Sequence, residues 1–443
     1  MRKSIRLVGD ICIIAILIIF AGQTVSAANT DRQWVFPFSM GTTLESAGDT
    51  LTFEQILQKV SQENGTLQSV EYLREGIPGL IKQSQLRINP ELAFEVEDFS
   101  GNLPGLSQTE WSLSLSQELE LWGKRSARIE AARVESLALA SEIAIIEFDI
   151  YIDVKRHYAE LLNAQTLAAL LERGHELANE MVEAARRQVK MGAALAAELY
   201  LAELEASRLK MELNASQTDL LVAKASLAAL WGGDPVTFKA VQHVDFEMAA
   251  IDPAEFNDLV EGSREILELG FELSRIEAKT EVTRVENRLN PTLTAGYKRQ
   301  EAHKVNTFLF GVSLPLPLFN RNQGKLAELH SNRLGQQSQI EQKHREIKAA
   351  VIIAYQRLYQ LHERLSGLDE SLIPKATSAY QIIKETYDRG RLRYTELLEA
   401  ERILMELERE RSVTRLECIY QMIEIEKTLG IKLDNPYPEE VRP

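Results

Sequence analysis

Twice in this chain a two-residue hydrophobic rhythm gives way, within a few positions, to a helical one, and that handover narrows the folds open to it. In residues 113–128, LSLSQELELWGKRSAR, the residues Leu113, Leu115, Leu119 and Leu121 continue an alternation begun at Trp111, and the charged run after Gly123 opens a helix-type sequence. In residues 310–325, FGVSLPLPLFNRNQGK, the alternation of Phe308, Phe310, Val312, Leu314, Leu316 and Leu318 ends before Gln323 and Gly324. Each stretch predicts a strand feeding a helix, and the recurrence predicts a duplicated unit.

Other positions carry the same duplication. Leu289-Asn290-Pro291 answers Ile88-Asn89-Pro90 at an offset of 201, Phe319 answers Trp122 at 197, and Gly390 and Gly430 answer Gly192 and Gly232 at 198. A phrase LxxAE stands at Leu199, Ala202 and Glu203 and returns at Leu397, Ala400 and Glu401. The drift in offset falls mainly in the hairpin loop, where a change of length is tolerated.

Taken in order, residues 28–50 form a lead-in, and Thr52 and Gln55 fit a capping box that starts a helix. Pro78 is expected to interrupt that helix or to start a second one. The residue before Pro90 is pushed out of helical backbone, so a hairpin is expected over about residues 91–121, with its loop at Gly101, Pro104 and Gly105. No proline occurs between Pro104 and Pro235, and residues 124–231 are rich in Ala, Leu, Glu, Arg and Lys, all strong helix formers. Ile143, Ile146, Ile150, Val154, Tyr158 and Leu161 step by three or four, and Ala202, Ala206, Leu209, Leu213, Leu220 and Leu227 keep near-heptad spacing, which predicts coiled-coil packing. The first of these helices would be on the order of 100 Å long at 1.5 Å per residue, too long for an ordinary globule.

The expected organisation is therefore a first repeat over residues 51–233, a mixed connecting segment over 234–262, a second repeat over 263–430 with a hairpin near 292–318 and long helices over 323–429, and a tail over 431–443. Gly367 and Pro374 mark a kink or junction within the second set of helices. Ahead of the lead-in, residues 1–27 have the form of a secretory signal: Arg2, Lys3 and Arg6, then an apolar run, then Val25-Ser26-Ala27. Cys12 lies at the very start of that run, well ahead of the cleavage position, so no lipid anchor is expected, and the only other cysteine, Cys418, leaves no internal disulfide to form. The formal charge of −15 becomes about −17 once the signal is removed, which argues against nucleic acid as a partner.

A second hairpin strand of about eleven residues suits a tilted membrane-spanning β-strand. Four strands cannot close a barrel, since the smallest membrane barrels have eight, and open edges cannot face lipid. Several copies must then share one barrel, and a conduit favours three, because eight strands leave little lumen. Pro315 and Pro317 would each remove a ladder bond, which places them at the strand's exit from the membrane. The competing reading is an ordinary soluble sheet on a secreted coiled-coil scaffold, which has no need of a duplicated hairpin.

On these residues the chain resembles the outer-membrane efflux protein family, the trimeric TolC-like channel-tunnels, over about residues 50–430, and within it the branch that exports cobalt, zinc, cadmium, copper or silver. The phrases that carry the resemblance are Gln117 with Trp122, Gly123, Lys124 and Arg125, the LPLPLFNRNQG run with Pro317, Phe319, Asn320 and Arg321, and the two glycine-containing turns. The resemblance implies a mainly α protein with a small β part, a homotrimer in which each protomer gives four strands to a twelve-stranded outer-membrane barrel and long helices to a periplasmic tunnel. It implies a passive exit duct in a Gram-negative outer membrane, with outer-membrane lipid, a periplasmic adaptor and an inner-membrane pump of the resistance-nodulation-division type as partners. The adaptor would grip the turns at residues 191–201 and 389–398, among them Met191, Gly192, Leu195, Leu199, Arg389, Gly390, Leu392 and Leu397. By position after the second turn glycine, Glu396 and Glu399 would form the periplasmic gate, as a ring of carboxylates that attracts cations. The first repeat has Glu198 but Leu201 at the matching positions, so the gate would come from the second turn alone.

The seven histidines form no HxxxH or Cys-containing pair, and neither a nucleophile elbow nor a phosphate-binding glycine loop is present. No enzyme activity, cofactor or resident metal is expected. The same duct serving organic drugs or type I secretion is separated from metal export only by the resemblance of the two phrases.

Overall fold

The computed structural model describes residues 50–98, 109–192, 194–234, 238–244, 256–389 and 391–432. The signal segment, most of the lead-in, the first hairpin's loop, Gly390, part of the connecting segment and the tail beyond residue 432 lie outside the described residues. In chain order the elements are β1 (Thr50–Leu51), α1 (Phe53–Glu63), α2 (Gly65–Gln85), β2 (Glu91–Glu97), β3 (Glu110–Glu118), α3 (Lys124–Lys190), α4 (Ala196–Ala229), β4 (Ala240–Val241), α5 (Phe256–Glu261), α6 (Arg264–Glu286), β5 (Thr292–Gln300), β6 (Val305–Ser313), α7 (Gln323–Gly367), a π-helical turn (Leu368–Leu372), α8 (Ile373–Asp388) and α9 (Tyr394–Leu429). The protein is mainly α with a small β part, and α3 alone is 67 residues long.

The chain divides into two compact units that cut across the sequence repeats: Met1–Val70, Ile145–Arg264 and Arg345–Pro443 form one, and Glu71–Ala144 and Glu265–His344 form the other. In the first unit, Thr52 Oγ1 accepts from Gln55 N at 3.2 Å and Gln55 Oε1 accepts from Thr52 N at 3.0 Å, the expected capping box that starts α1. The break after α1 comes at Asn64 and not at Pro78, which lies inside α2. Asn64 serves both helices: its backbone N–H closes α1 on Val60 O at 3.0 Å, and its Oδ1 accepts from Leu67 N at 3.0 Å at the start of α2. The core of this unit holds Phe53, Ile56, Ile150, Val154, Tyr158, Leu161, Ile423 and Leu429, four of them apolar steps read along α3, while Ile146 is only partly buried. Among them lies a fully buried ion pair, Lys155 Nζ to Glu426 Oε2 at 2.7 Å. The connecting segment is anchored here too, since β4 pairs in parallel with β1 and Gln165 bonds Val241 through both its backbone groups.

The second unit holds a four-stranded antiparallel sheet in the order β2-β3-β5-β6, so β2 and β6 are its edges. Register places Phe94 opposite Leu113, Leu113 opposite Tyr297 and Tyr297 opposite Phe308. Alternation then puts Leu92, Val96, Trp111, Leu115, Leu293, Phe310 and Val312 on that same face, where Trp111 and Tyr297 rings lie 5.6 Å apart and Tyr297 and Phe308 rings 5.9 Å apart. The opposite face carries Ser112, Ser114, Ser116, Thr294, Gly296 and Lys298, with Ala93, Leu309 and Val305 as its apolar exceptions. Ser116 and Thr294 hydroxyls share a hydrogen bond at 2.9 Å, and Lys298 Nζ bridges Glu97 at 3.1 Å and Glu110 at 2.5 Å. The apolar face is bare: Phe308 is 79% and Phe310 83% exposed. Strand β6 stops at Ser313, so Pro315 and Pro317 fall beyond the ladder and cost it nothing.

Candidate functional site

The end of β3 gathers both Asn-Pro phrases of the sequence. Gln117 Nε2 donates to Ile88 O at 2.9 Å, while Leu119 N donates to Pro291 O at 2.9 Å and Asn290 Nδ2 to Glu118 Oε1 at 2.7 Å. Beyond the strand the chain turns through two left-handed residues, Trp122 at φ +62° and Gly123 at φ +81°. A tryptophan is unfavourable in that region, and Trp122 is held there from both ends: its Nε1 donates to Leu289 O and its own carbonyl accepts from Arg288 Nη1, each at 3.1 Å.

Helix α3 opens with Lys124 and Arg125, and its first turns clamp the open end of α2. Arg125 Nε donates to Gln85 O at 2.9 Å, and Arg128 donates to Ser84 O at 3.2 Å and Leu86 O at 3.0 Å. These are carbonyls that a helix leaves unpaired at its C-terminus, where cations also meet a favourable dipole. Arg128 is fixed in turn by Glu120, at 2.5 and 3.0 Å, and its hydrogen bond holds the Glu120 carboxyl below the usual range. Arg128 and Glu120 belong to this junction, and although both lie in the stretch 113–128, neither stands out there as a site residue. Their separation of eight residues spans the strand-to-helix turn, so neither periodicity pairs them.

At the second handover the turn ties itself. Asn320 Oδ1 accepts from Asn322 N at 3.0 Å, Gln323 Oε1 accepts from Arg321 N at 2.8 Å and Gln323 Nε2 donates to Phe319 O at 3.2 Å. Asn322, at φ +55°, donates to Thr283 O at 3.3 Å, and Asn287 donates to Arg321 O at 2.5 Å, which fastens the turn to α6. Phe319 is left 89% exposed.

In the first unit the two helix turns lie at one end of a shared core. Ala185 from α3, Ala202 and Leu209 from α4, Tyr387 from α8 and Tyr394 and Leu397 from α9 are buried together there, with Leu199 and Leu392 half-buried against them. Leu397 is 1% exposed, so it supports the turns from within and offers no docking surface, contrary to its place among the expected adaptor contacts. Met191 and Leu195 are each 72% exposed, and Gly192 takes φ +74°, the left-handed geometry that ends α3 without a Cβ penalty. Arg389 is exposed and pairs with Glu385 at 3.3 Å.

Glu396 and Glu399 are exposed one turn apart on α9, and they border a shallow hollow with Ala376, Ala379, Ile383 and Ile403. Glu396 also has a local task, because its Oε2 accepts from Arg393 N at 3.1 Å at the start of α9. Next along α9 stands Glu401, marked by the sequence only as a repeat anchor, and it is buried beside Glu205 of α4. Glu205 accepts from Arg402 at 2.5 Å and from Arg208 Nε at 3.2 Å. Burial works to raise its carboxyl, but the two arginines outweigh it and hold Glu205 below the usual range. Glu401 is 6% exposed and its Oε1 has no hydrogen-bond partner. Burial first, and the charge of Glu205 second, push its carboxyl up to about 7. Burial, with Glu401 nearby, likewise pushes the Tyr380 and Tyr394 phenols up to about 12. Among the described residues no group of three His, Cys, Asp or Glu side chains is placed to hold a metal ion, and no helix is long and apolar enough to cross a membrane.

A bare-faced antiparallel sheet that hands over twice to long helices is the fold of outer-membrane channels. The chain belongs to the outer membrane efflux protein family, whose model matches residues 56–233 and 257–417. It is 28% identical over 364 residues to the cobalt-zinc-cadmium resistance protein CzcC of Cupriavidus metallidurans, covering 82% of this chain and 85% of that one. It is 24% identical over 244 residues to the nickel-cobalt-cadmium resistance protein NccC of Alcaligenes xylosoxydans xylosoxydans, covering 54% and 55%. Its fold matches CusC, whose structures describe folding and transmembrane channel formation, with a TM-score of 0.72 at 19% identity over 89% of this chain and 96% of that one. It is thus an outer-membrane efflux channel.

Proposed function

We propose that this channel is the exit duct of a tripartite efflux system for heavy-metal cations of the cobalt, zinc, cadmium or copper, silver class. The observation that carries the duct is the sheet, with one apolar face bare, the other polar, and both edge strands unpaired among the described residues. In a bilayer the apolar face meets lipid and the edges must be closed by further copies. Three protomers close a ring of twelve strands around a lumen lined by the serine and threonine face. An amino-terminal signal, removed after export, delivers the chain. The exposed turns around Met191 and Arg389 receive the periplasmic adaptor, an inner-membrane pump of the resistance-nodulation-division type supplies the energy, and transport through the duct itself is passive.

The metal substrate rests on the likeness to CzcC and NccC, named for metal resistance. A strain lacking this chain tests it: growth should fail at lower cobalt, zinc, cadmium, copper or silver concentrations and recover on complementation. Sensitivity to organic drugs alone would replace the substrate and keep the duct. Glu396 and Glu399, three copies of each, form the cation-attracting constriction in this reading. The double variant Glu396→Gln/Glu399→Gln in planar bilayers should show a reduced preference for cations over anions, and unchanged selectivity would remove both residues from the gate.

A further inference from the structure

The two turns are charged in the sense opposite to the rest of the molecule. Residues 187–195 and 389–393 hold five cations, Arg187, Lys190, Arg389, Arg391 and Arg393, and no carboxylate, with Glu198, Asp388 and Glu396 at their margins, in a chain of formal charge −15. All five are exposed. Arg389 pairs with Glu385, whereas Arg187, Lys190, Arg391 and Arg393 form no ion pair with a described residue. Both turns close on the one core formed around Tyr387, Tyr394 and Ala202, so these cations share one end of the first unit with exposed Met191 and Leu195.

Helix capping accounts for only part of this. Arg187 and Lys190 sit in the last turn of α3, where a cation suits the helix dipole. Arg393 occupies the N-cap of α9, where the dipole disfavours a cation and Ser, Thr, Asp or Asn would cap better. Leu195 occupies the N-cap of α4 and makes no side-chain cap bond. At both turns the residue that local stability calls for is replaced by one that presents charge or apolar surface outward, a pattern expected where a surface is kept for binding.

We propose that the partner surface seated on these turns is acidic around an apolar patch, its carboxylates meeting Arg187, Lys190, Arg391 and Arg393 while its apolar centre covers Met191 and Leu195. The proposal rests on the reading that an adaptor docks here and specifies that adaptor's chemistry. Opposite charges steer the encounter and set the orientation, and their contribution falls as salt shortens the screening length from about 10 Å at 0.1 M to about 3 Å at 1 M.

The test uses the full-length protein in detergent, immobilised on a sensor, and two designed helical hairpins that share one apolar seam and carry either glutamates or lysines around it. The glutamate hairpin should bind at least tenfold more tightly than the lysine hairpin, and weaken as salt rises. Replacing Arg187, Lys190, Arg391 and Arg393 together by Gln should abolish that preference, and replacing the three arginines by Lys should keep it. Equal binding of both hairpins, or a preference indifferent to the Gln replacements, would overturn the acidic partner. Met191→Ser/Leu195→Ser separates the two levels: if it alone removes binding of both hairpins, docking at the turns stands and its acidic character fails. If neither set of replacements alters binding, the docking reading fails as well.

Discussion

Glu401→Gln should stabilise the protein in a manner that depends on pH. The carboxyl is buried, its Oε1 is unpartnered, and it faces Glu205, whose charge is already matched by Arg208 and Arg402. Lys384, Arg402 and Arg208 pull the other way but do not cancel the burial, and the group settles at about 7, above its ordinary value of 4.5. A folded value above the unfolded one means the folded protein favours the proton. The favourable state is fully present below about pH 4.5 and is lost as pH rises through 7. The shift corresponds to about 3 kcal/mol between the two limits. Glutamine keeps the shape without titrating, so the variant should gain on the parent by about 3 kcal/mol at pH 8.5 and by little or nothing at pH 5. Thermal unfolding followed by helical circular dichroism in detergent, at pH 5, 7 and 8.5, reads the difference. A gap between variant and parent that is the same at all three pH values would refute the reasoning, since no titrating group would then underlie it.

Three further outcomes follow from named contacts. Lys155→Met removes the 2.7 Å cationic partner of buried Glu426, which should cost about 3–5 kcal/mol in chemical denaturation, and Lys155→Met/Glu426→Leu should recover most of it. Arg128→Ala leaves Ser84 O, Leu86 O and Glu120 without their shared donor, a loss of about 1–3 kcal/mol that should appear as faster protease cleavage between α2 and β2. Phe310→Arg puts a charge on the face proposed to meet lipid and should cost about 2–4 kcal/mol in folding into vesicles if it lies near the midplane, whereas Leu309→Arg on the opposite face should cost far less.

Much of the architecture was legible because it is written in periods. Alternation gave the strands and their apolar face, three-four spacing gave the buried steps of α3, and the repeated glycines and Asn-Pro phrases gave the duplication. What stayed hidden depends on contacts distant along the chain. Lys155 and Glu426 lie 271 residues apart, and each looks like an ordinary solvated charge within its own helix. Pro78 carries the familiar signal for a helix break, yet the break falls at Asn64, whose side chain reaches Leu230 O at 2.7 Å as well as capping α2. Leu397 sits beside exposed glutamates in a turn and was expected outside. Its place in the core is decided by Tyr387, Tyr394 and Ala202, which come from three different helices.

In the proposed barrel, β2 of one copy pairs with β6 of the next until three copies close a ring. In a Cys418→Ser background, Glu95→Cys on β2 can be combined in turn with a single cysteine at each position of β6, and the membranes then oxidised. At the facing positions crosslinked dimer and trimer are expected, with the series stopping at the trimer. Monomer alone at every pairing, or a ladder that runs past the trimer, would contradict it.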